Sequence, residues 1–221
     1  MIHQLVSALR AVAAGLARAL ASAREKLREL GRSEPPAPSW DGAPHLGRWR
    51  RRADPTVLPG AFGSGSRRPF GWYLEGVSTV VVESVPQLCR WLRGCEYVSD
   101  RELLGKADHW QHPVAFERLR RGDCEDHALW AWRKLRRLGL SATLVVGELG
   151  SQSHVWVVFV DAGTLHLLET TEKSGEMVLP AHQASEAYRP RYGVDGDLRI
   201  YFYDPSTEGP GTSGPRHAAS P

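Results

Sequence analysis

The chain has 221 residues and a formal net charge of +3. This near balance argues against a dedicated nucleic-acid-binding protein, which needs a strongly positive surface to bind phosphate groups. No apolar run reaches the roughly 20 residues that a membrane-spanning helix requires, so no transmembrane segment is expected. The 3 cysteines are too few for a disulfide scaffold.

The first segment, residues 1–31, has apolar side chains spaced three and four apart. This spacing predicts an amphipathic helix that packs on the rest of the chain, or on a partner protein through residues 2–30. A secretory signal is the alternative, because Ala21-Ser22-Ala23 resembles a cleavage site. Arg10 and Arg18 interrupt what would be the apolar core of such a signal. We therefore predict a cytoplasmic protein, with a periplasmic or secreted location as the alternative.

Residues 32–68 and 205–221 contain stretches rich in proline, glycine and serine, which are typical of a linker and a disordered tail. Within the first, Arg48-Trp49-Arg50-Arg51-Arg52 is a basic cluster of a kind that can contact nucleic acid or acidic lipid. A solvated linker explains it more simply, so no specific nucleic-acid binding is predicted. The ordered domain is expected at residues 69–204.

Within that domain, the segment 124–138 has apolar residues at helical spacing and is followed by Gly139, which predicts a helix. Three strand-like runs then follow with short turn-rich segments between them, at residues 142–149, 154–160 and 165–171. Shorter elements are expected around them: a helix at 86–93, a short element at 98–104, and strands at 177–179 and 198–203. One helix followed by antiparallel strands is an α+β pattern.

Gly122-Asp123-Cys124-Glu125-Asp126-His127 places a cysteine where a loop becomes a helix. Unpaired amides and the helix dipole at a helix N-terminus favour the thiolate, which is the nucleophilic form of cysteine. A cysteine that serves only packing needs neither a preceding glycine nor a helix cap. Cys124 is therefore the candidate nucleophile, whereas His127, one turn later, is expected to be a packed helix histidine.

His154 opens a strand and suits a general base that is held rigidly at the mouth of a cleft. A base needs an orienting acceptor, and Asp161 and Glu169 are the downstream candidates. Asp161 is about 23 Å away along the same strand and on its other face. If Ala162-Gly163 forms a two-residue turn, Glu169 pairs opposite Trp156 and becomes the diagonal neighbour of His154. Glu169 is therefore the predicted acceptor, and a one-residue slip of the turn would remove it from the site.

A tetrahedral oxyanion needs hydrogen-bond donors. The backbone amide of Cys124 is one candidate, and the side-chain amide of Gln111 or the indole N–H of Trp110 is the other. The remaining histidines lack the spacing of zinc ligands. Cys89 and Cys95 are expected to be reduced and structural, and no cofactor is predicted.

Three segments together resemble the bacterial transglutaminase-like cysteine peptidases: Gly-Asp-Cys-Glu-Asp-His-Ala at 122–128, His-Val-Trp-Val at 154–157 and Leu-Leu-Glu-Thr-Thr at 167–171. The stretch at 108–113 is also similar to one that this family carries before its nucleophile. The resemblance covers about residues 95–203.

This resemblance implies a papain-like fold with Cys124 as nucleophile, His154 as base and Glu169 as third member. The family more often has aspartate at that third position. Some relatives need calcium near the active site, so Glu125 and Asp126 are candidates for a calcium site. Two carboxylates in the first turn of a helix are also explained by the helix dipole alone.

We predict a cysteine hydrolase, a peptidase that cleaves a peptide or amide bond of a protein or peptide substrate through an acyl-thioester at Cys124. A transglutaminase-type transferase is one alternative, because an amine could replace water in resolving the same acyl-enzyme. A catalytically silent module that binds a partner through the N-terminal helix and basic linker is the other. The complete set of Cys124, His154 and Glu169 argues against a silent module.

Overall fold

The computed structural model describes residues 49–53 and 59–205. These residues form a mixed structure in which α-helices pack on an antiparallel sheet, as the α+β pattern predicts. The helix predicted at 1–31, its partner contact through residues 2–30, and the tail from residue 206 onward lie outside the described residues and stay predictions.

A seven-stranded sheet has the order β1-β9-β8-β4-β5-β6-β7, and every neighbouring pair in it is antiparallel. Its strands are β1 (Trp49–Ala53), β4 (Ser141–Leu149), β5 (Gln152–Asp161), β6 (Thr164–Leu168), β7 (Val178–Pro180), β8 (Tyr188–Val194) and β9 (Ile200–Pro205). Two short strands, β2 (Glu96–Tyr97) and β3 (Arg121–Gly122), form a separate parallel pair.

Within residues 59–205, four α-helices precede the central strands: α1 (Val85–Arg93), α2 (Asp100–Leu104), α3 (Pro113–Leu119) and α4 (Cys124–Arg137). Short 3-10 helices lie at Pro59–Phe62, Phe70–Leu74 and Ala181–Gln183. None of the helices in the described ranges is long and apolar enough to cross a membrane.

Helix α4 is the centre of the larger core. Every residue from Glu125 to Leu135 is buried, and Trp130 and Trp132 are fully buried against other helices and the sheet. The helix ends where Gly139 adopts a positive φ of 77°, a conformation that glycine reaches without steric cost. Because α4 is buried on all sides, its first residue is fixed relative to the strands behind it.

Strand β5 separates two cores because its side chains alternate between the two faces of the sheet. Val155, Val157 and Phe159 join the core around α4. Trp156 and Val158 join a second core that includes Tyr188. A strand buried on both faces is held firmly, so His154, the third residue of β5 and paired with Gly147 of β4, has a fixed backbone.

A buried ion pair joins α3 to α4. Lys134 Nζ lies 2.7 Å from Glu117 Oε1, and both side chains are 2% exposed. Trp130 Nε1 donates to Glu117 at 3.0 Å, and the Thr79 amide donates to the same carboxylate at 3.1 Å. Lys134 Nζ also donates to the Val80 carbonyl at 2.6 Å. These bonds hold the extended segment around residues 78–80 against the helices.

The predicted linker at 32–68 contains ordered elements. Residues 49–53 form β1, which pairs with β9, and Phe62 is 5% exposed in the core against Phe70 and Tyr192. The sequence did not predict this packing, because Phe62 lies among glycine and serine residues and a single buried aromatic residue produces no periodic apolar pattern. The ordered part therefore begins before residue 69, while residues 32–48 and 54–58 lie outside the described ranges.

Candidate active site

The candidate nucleophile is the first residue of α4. Cys124 follows the N-cap residue Asp123, whose side chain makes no capping bond to the helix. Gly122 is required here for space, because a Cβ at this position would collide with the Asp126 carboxylate and lie 2.8 Å from Gln111 Nε2. The Gly-Asp-Cys order thus lets the loop before α4 pass close to the first turn of the helix.

Gln111 stabilises the first turn of α4 by hydrogen bonds and does not face the cleft. Its backbone amide donates to Asp126 Oδ1 at 2.7 Å, and its Nε2 donates to the Arg121 carbonyl at 3.1 Å and to Asp126 Oδ2. Both hydrogens of the amide are therefore used, and Gln111 is not among the residues that line the cleft. This corrects the prediction that Gln111 donates to an oxyanion. The reason is that Asp126 points inward and takes the amide.

Trp110 remains the second candidate donor. It lines the same cleft as Cys124. Its ring is 4% exposed and packs edge-on against Phe70, with the ring centroids 6.2 Å apart. The side chain is thus both a core residue and part of the cleft wall.

The base and its acceptor are in direct contact. His154 Nε2 lies 2.7 Å from Glu169 Oε2, and both side chains are buried. The turn between β5 and β6 has positive φ at Ala162 and Gly163, and Asp161 pairs with Thr164 across it. This confirms the predicted two-residue turn and the register that makes Glu169 diagonal to His154. Asp161 is exposed at the far end of β5.

Glu169 is saturated with hydrogen bonds. Its Oε1 accepts from the backbone amide and the hydroxyl of Thr171, each at 2.8 Å. Its Oε2 accepts from the Tyr188 hydroxyl at 2.9 Å as well as from His154. Burial acts to raise the pKa of this carboxyl, but the bonds from His154 and Thr171 outweigh it and lower the pKa to about 2. Glu169 is therefore an ionised acceptor at neutral pH.

Cys124 and His154 line one cleft of about 580 Å³. The loop at residues 60–64 also lines this cleft, as do Val146 and Gly147 near the end of β4. Because Nε2 of His154 is bonded to Glu169, the other ring nitrogen, Nδ1, is left for the cleft. The cleft therefore holds a thiol and an oriented imidazole.

Three carboxylates crowd the same cleft. Asp100, Asp123 and Glu125 each offer an oxygen within 4.8 Å of the others. Burial comes first among the causes that raise the pKa of all three, with the nearby negative charges adding to it, and the pKa of Asp100 reaches about 6. Asp100 Oδ1 and Asp123 Oδ1 are buried without a hydrogen-bond partner.

A set of orphaned carboxylate oxygens fits a hard divalent cation such as calcium, which takes oxygen ligands. Glu125, one of the two predicted calcium candidates, belongs to this set. Asp126 does not, because both of its oxygens accept from Gln111. Asp100, which the sequence analysis did not single out, takes the place that was predicted for Asp126.

The Cys124 thiol faces these carboxylates. Its Sγ donates to Glu125 Oε2 at 3.3 Å. Burial raises the pKa of the thiol well above its usual value, and the charges of Glu125 and Asp123 raise it further, while a bond from the Val155 backbone acts the other way. The expectation that the helix N-terminus alone makes Cys124 a thiolate is therefore incomplete. The acidic first turn opposes the helix dipole.

His127 is packed within the helix, as predicted. It is fully buried, and its Nδ1 bonds to the Asp123 carbonyl at 2.8 Å. Its Nε2 accepts from Lys173 Nζ at 3.0 Å, and Lys173 also donates to the Cys95 carbonyl at 2.7 Å. Burial lowers the pKa of His127 to about 4. His127 is thus neutral and fully bonded, which removes it as a second base.

Sequence reasoning missed Tyr188 and Asp100. Tyr188 starts β8, whose Arg-Pro-Arg stretch at 189–191 does not have the apolar alternation of a strand. Asp100 lies 23 residues before Asp123 and is brought near it where β2 pairs with β3. Neither residue carries a local signal, because each reaches the site through contacts distant in sequence.

No protein-family model matches the chain, and no curated protein matches it significantly. Among solved structures, calcium-bound LapG of Legionella pneumophila aligns with a TM-score of 0.41 and 19% identity, over 66% of this chain and 88% of that chain. A second structure of Legionella pneumophila LapG gives a TM-score of 0.41 and 19% identity, over 67% of this chain and 90% of that chain. Similarity at this level assigns no function, so the role of each residue rests on its own contacts.

Proposed function

We propose that this chain is a cysteine hydrolase, a peptidase of transglutaminase-like type, in which Cys124 is the nucleophile, His154 the base and Glu169 the residue that orients the base. The observation that carries the proposal is the buried 2.7 Å bond between His154 and Glu169 beside a cleft that His154 shares with Cys124. A nucleophile, a base and an oriented acceptor are the three parts that acyl transfer by cysteine requires.

The reaction follows from these positions. Nδ1 of His154 takes the proton of the Cys124 thiol, and Glu169 stabilises the imidazolium that forms. The sulfur attacks the carbonyl carbon of the scissile bond, and the amide of Cys124, with Trp110 as the second candidate donor, stabilises the oxyanion. His154 then protonates the leaving amine, which leaves an acyl-thioester on Cys124. Water activated by His154 hydrolyses that thioester and restores the thiol.

We further propose that Asp100, Asp123 and Glu125 hold a divalent cation, calcium being the best match to three carboxylates. A cation there would neutralise the charges that raise the pKa of Cys124 and so favour the thiolate. The two orphaned oxygens of Asp100 and Asp123 support this assignment.

Hydrolysis of an unfolded protein tests the proposal. Purified chain is incubated with casein in the presence of calcium, and released peptides are measured. We expect Cys124→Ala to reduce release by several orders of magnitude without changing the urea unfolding curve. Cys89→Ala is the matched control and should retain activity, because Cys89 is buried in the core and does not line the cleft. Peptide release that persists in Cys124→Ala would contradict the mechanism.

A further inference from the structure

Tyr188 belongs to the second core but sends its hydroxyl to the site. Its ring packs edge-on against Trp156, with centroids 5.3 Å apart, and lies 6.3 Å from the His154 ring. The hydroxyl donates to Glu169 Oε2 at 2.9 Å, the same oxygen that contacts His154 Nε2. Packing alone would be met by phenylalanine, so the hydroxyl needs another explanation.

The hydroxyl is a permanent donor. Burial and the neighbouring Glu169 charge raise the pKa of Tyr188 above its usual value, so the phenol stays protonated across the neutral range. The bond to a carboxylate is charge-assisted, which makes it stronger than a bond between neutral groups. It therefore fixes one oxygen of Glu169 at a defined place.

Glutamate needs such restraint more than aspartate does. Its side chain has one more rotatable bond, and fixing it costs more conformational entropy. In Glu169 each oxygen is held by its own donors: Oε1 accepts twice from Thr171 and, at 3.3 Å, from the Glu172 amide, while Oε2 accepts from Tyr188. Together they leave Oε2 one direction in which to accept, and His154 occupies it.

We propose that Tyr188 and Thr171 are positioning residues that lock Glu169, so that the His154 ring carries its proton on Nε2 and presents Nδ1 to Cys124. The proposal deepens the proposed function and rests on it for its catalytic meaning. The two residues act through Glu169 and do not contact the substrate. Their hydrogen bonds explain how a glutamate, with its longer side chain, can orient the His154 ring.

The test is the tautomer of His154, read from ring ¹⁵N chemical shifts of the full chain at a pH where the imidazole is neutral. In the wild type we expect a single tautomer protonated on Nε2. In Tyr188→Phe the carboxylate can turn, and both tautomers should appear. The rate at which iodoacetamide alkylates Cys124 at pH 7 should fall about tenfold, the effect of losing one hydrogen bond to a charged group.

Tyr201→Phe is the matched control, because it removes another buried tyrosine–carboxylate bond, the 2.6 Å contact with Asp195 Oδ2. It should leave both the tautomer and the alkylation rate unchanged. Thr171→Val keeps the shape of the side chain and provides a second test if Tyr188→Phe does not fold. It removes the hydroxyl bond to Oε1 and keeps the two backbone bonds from Thr171 and Glu172, so the second tautomer should appear in a smaller share than in Tyr188→Phe.

A single Nε2-protonated tautomer and an unchanged alkylation rate in folded Tyr188→Phe would overturn the proposal. If both variants fold with the wild-type tautomer, the lock does not exist. If Tyr188→Phe shows mixed tautomers but the wild type does not hydrolyse casein, the proposed function is overturned and the positioning role of Tyr188 still stands. The two failures are therefore distinguishable.

Discussion

Two sets of carboxylates flank the reacting pair. Glu169 contacts His154 and accepts from His154, Thr171 and Tyr188. Glu125 contacts Cys124 and belongs with Asp100 and Asp123 to a group in which two oxygens have no partner. The pKa of Glu169 is lowered to about 2, whereas the pKa of Asp100 is raised to about 6.

The difference lies in the hydrogen-bond donors, since Glu169, Asp100 and Glu125 are all buried and Asp123 is partly buried. A carboxylate surrounded by donors keeps its charge inside the protein, but carboxylates that face one another must bind a proton or a cation. The Glu169 side of the site is thus complete within the chain. The Asp100, Asp123 and Glu125 side is open to a ligand, and the state of Cys124 depends on what that side binds.

Removing the charge of Glu169 should have the largest effect. All five hydrogen bonds to the Glu169 carboxylate come from donors, so in Glu169→Gln the new amide nitrogen, itself a donor, must face other donors. We expect casein hydrolysis to fall about 10³-fold or more, as when the orienting carboxylate of a triad loses its charge. Asp161→Asn is the control and should be nearly silent, since Asp161 is exposed at the far end of β5. Damage from Asp161→Asn, or activity kept in Glu169→Gln, would show that another group orients His154.

The same comparison can be made away from the cleft, at the buried Glu117 carboxylate, by removing its cationic partner Lys134. Lys134→Met leaves Glu117 buried without its cation, and we expect the free energy of unfolding to fall by about 3–5 kcal/mol. Arg137→Met, which changes an exposed residue of the same helix, should cost much less. Urea unfolding measures both. Equal losses of unfolding free energy in Lys134→Met and Arg137→Met would mean that the ion pair with Lys134 does not stabilise the buried Glu117 carboxylate.

The stability of the chain should depend on Glu169 at acidic pH. Its pKa is about 2 in the folded state against an ordinary value of 4.5, so the unfolded chain binds more protons between these values. Stability from this group is complete above about pH 4.5 and is lost as the pH falls toward 2, by about 3 kcal/mol in total. Unfolding free energies of wild type and Glu169→Gln should converge as the pH falls through this window. A constant difference across it would contradict the assigned ionisation.

Calcium should stabilise the chain through the open side of the site. A ligand at one hundred times its dissociation constant contributes about 2.7 kcal/mol, and we expect the melting temperature to rise accordingly. Asp100→Asn should remove this response, whereas Asp161→Asn should keep it. A calcium response that is unchanged in Asp100→Asn, or absent from the wild type at millimolar calcium, would reject the cation site.

The elements that the sequence predicted correctly are those with local signals. Helix α4 and strands β4, β5 and β6 follow from periodicity, and the register of β5 with β6 follows from a two-residue turn. The register set by that turn is sufficient to predict that Glu169 lies next to His154. The contact therefore needed no information from elsewhere in the chain.

The parts that the sequence did not reveal depend on distant contacts. Gln111 was expected to face the cleft, but Asp126 turns inward and takes its amide. Asp100 and Tyr188 come from a short helix and a strand that join the site only in the folded chain. No spacing rule could have shown that the acidic first turn of α4 raises the pKa of Cys124, since that result depends on burial as well as on charge.

The most direct test of the central claim is the alkylation rate of Cys124 by iodoacetamide in the full chain with calcium, compared between wild type and His154→Gln. If His154 is the base of Cys124, wild type should be modified at Cys124 and not at the buried Cys89 and Cys95. The rate at Cys124 should fall at least about tenfold in His154→Gln, because the thiolate loses its partner. Equal rates in wild type and His154→Gln would show that Cys124 and His154 do not work as a pair.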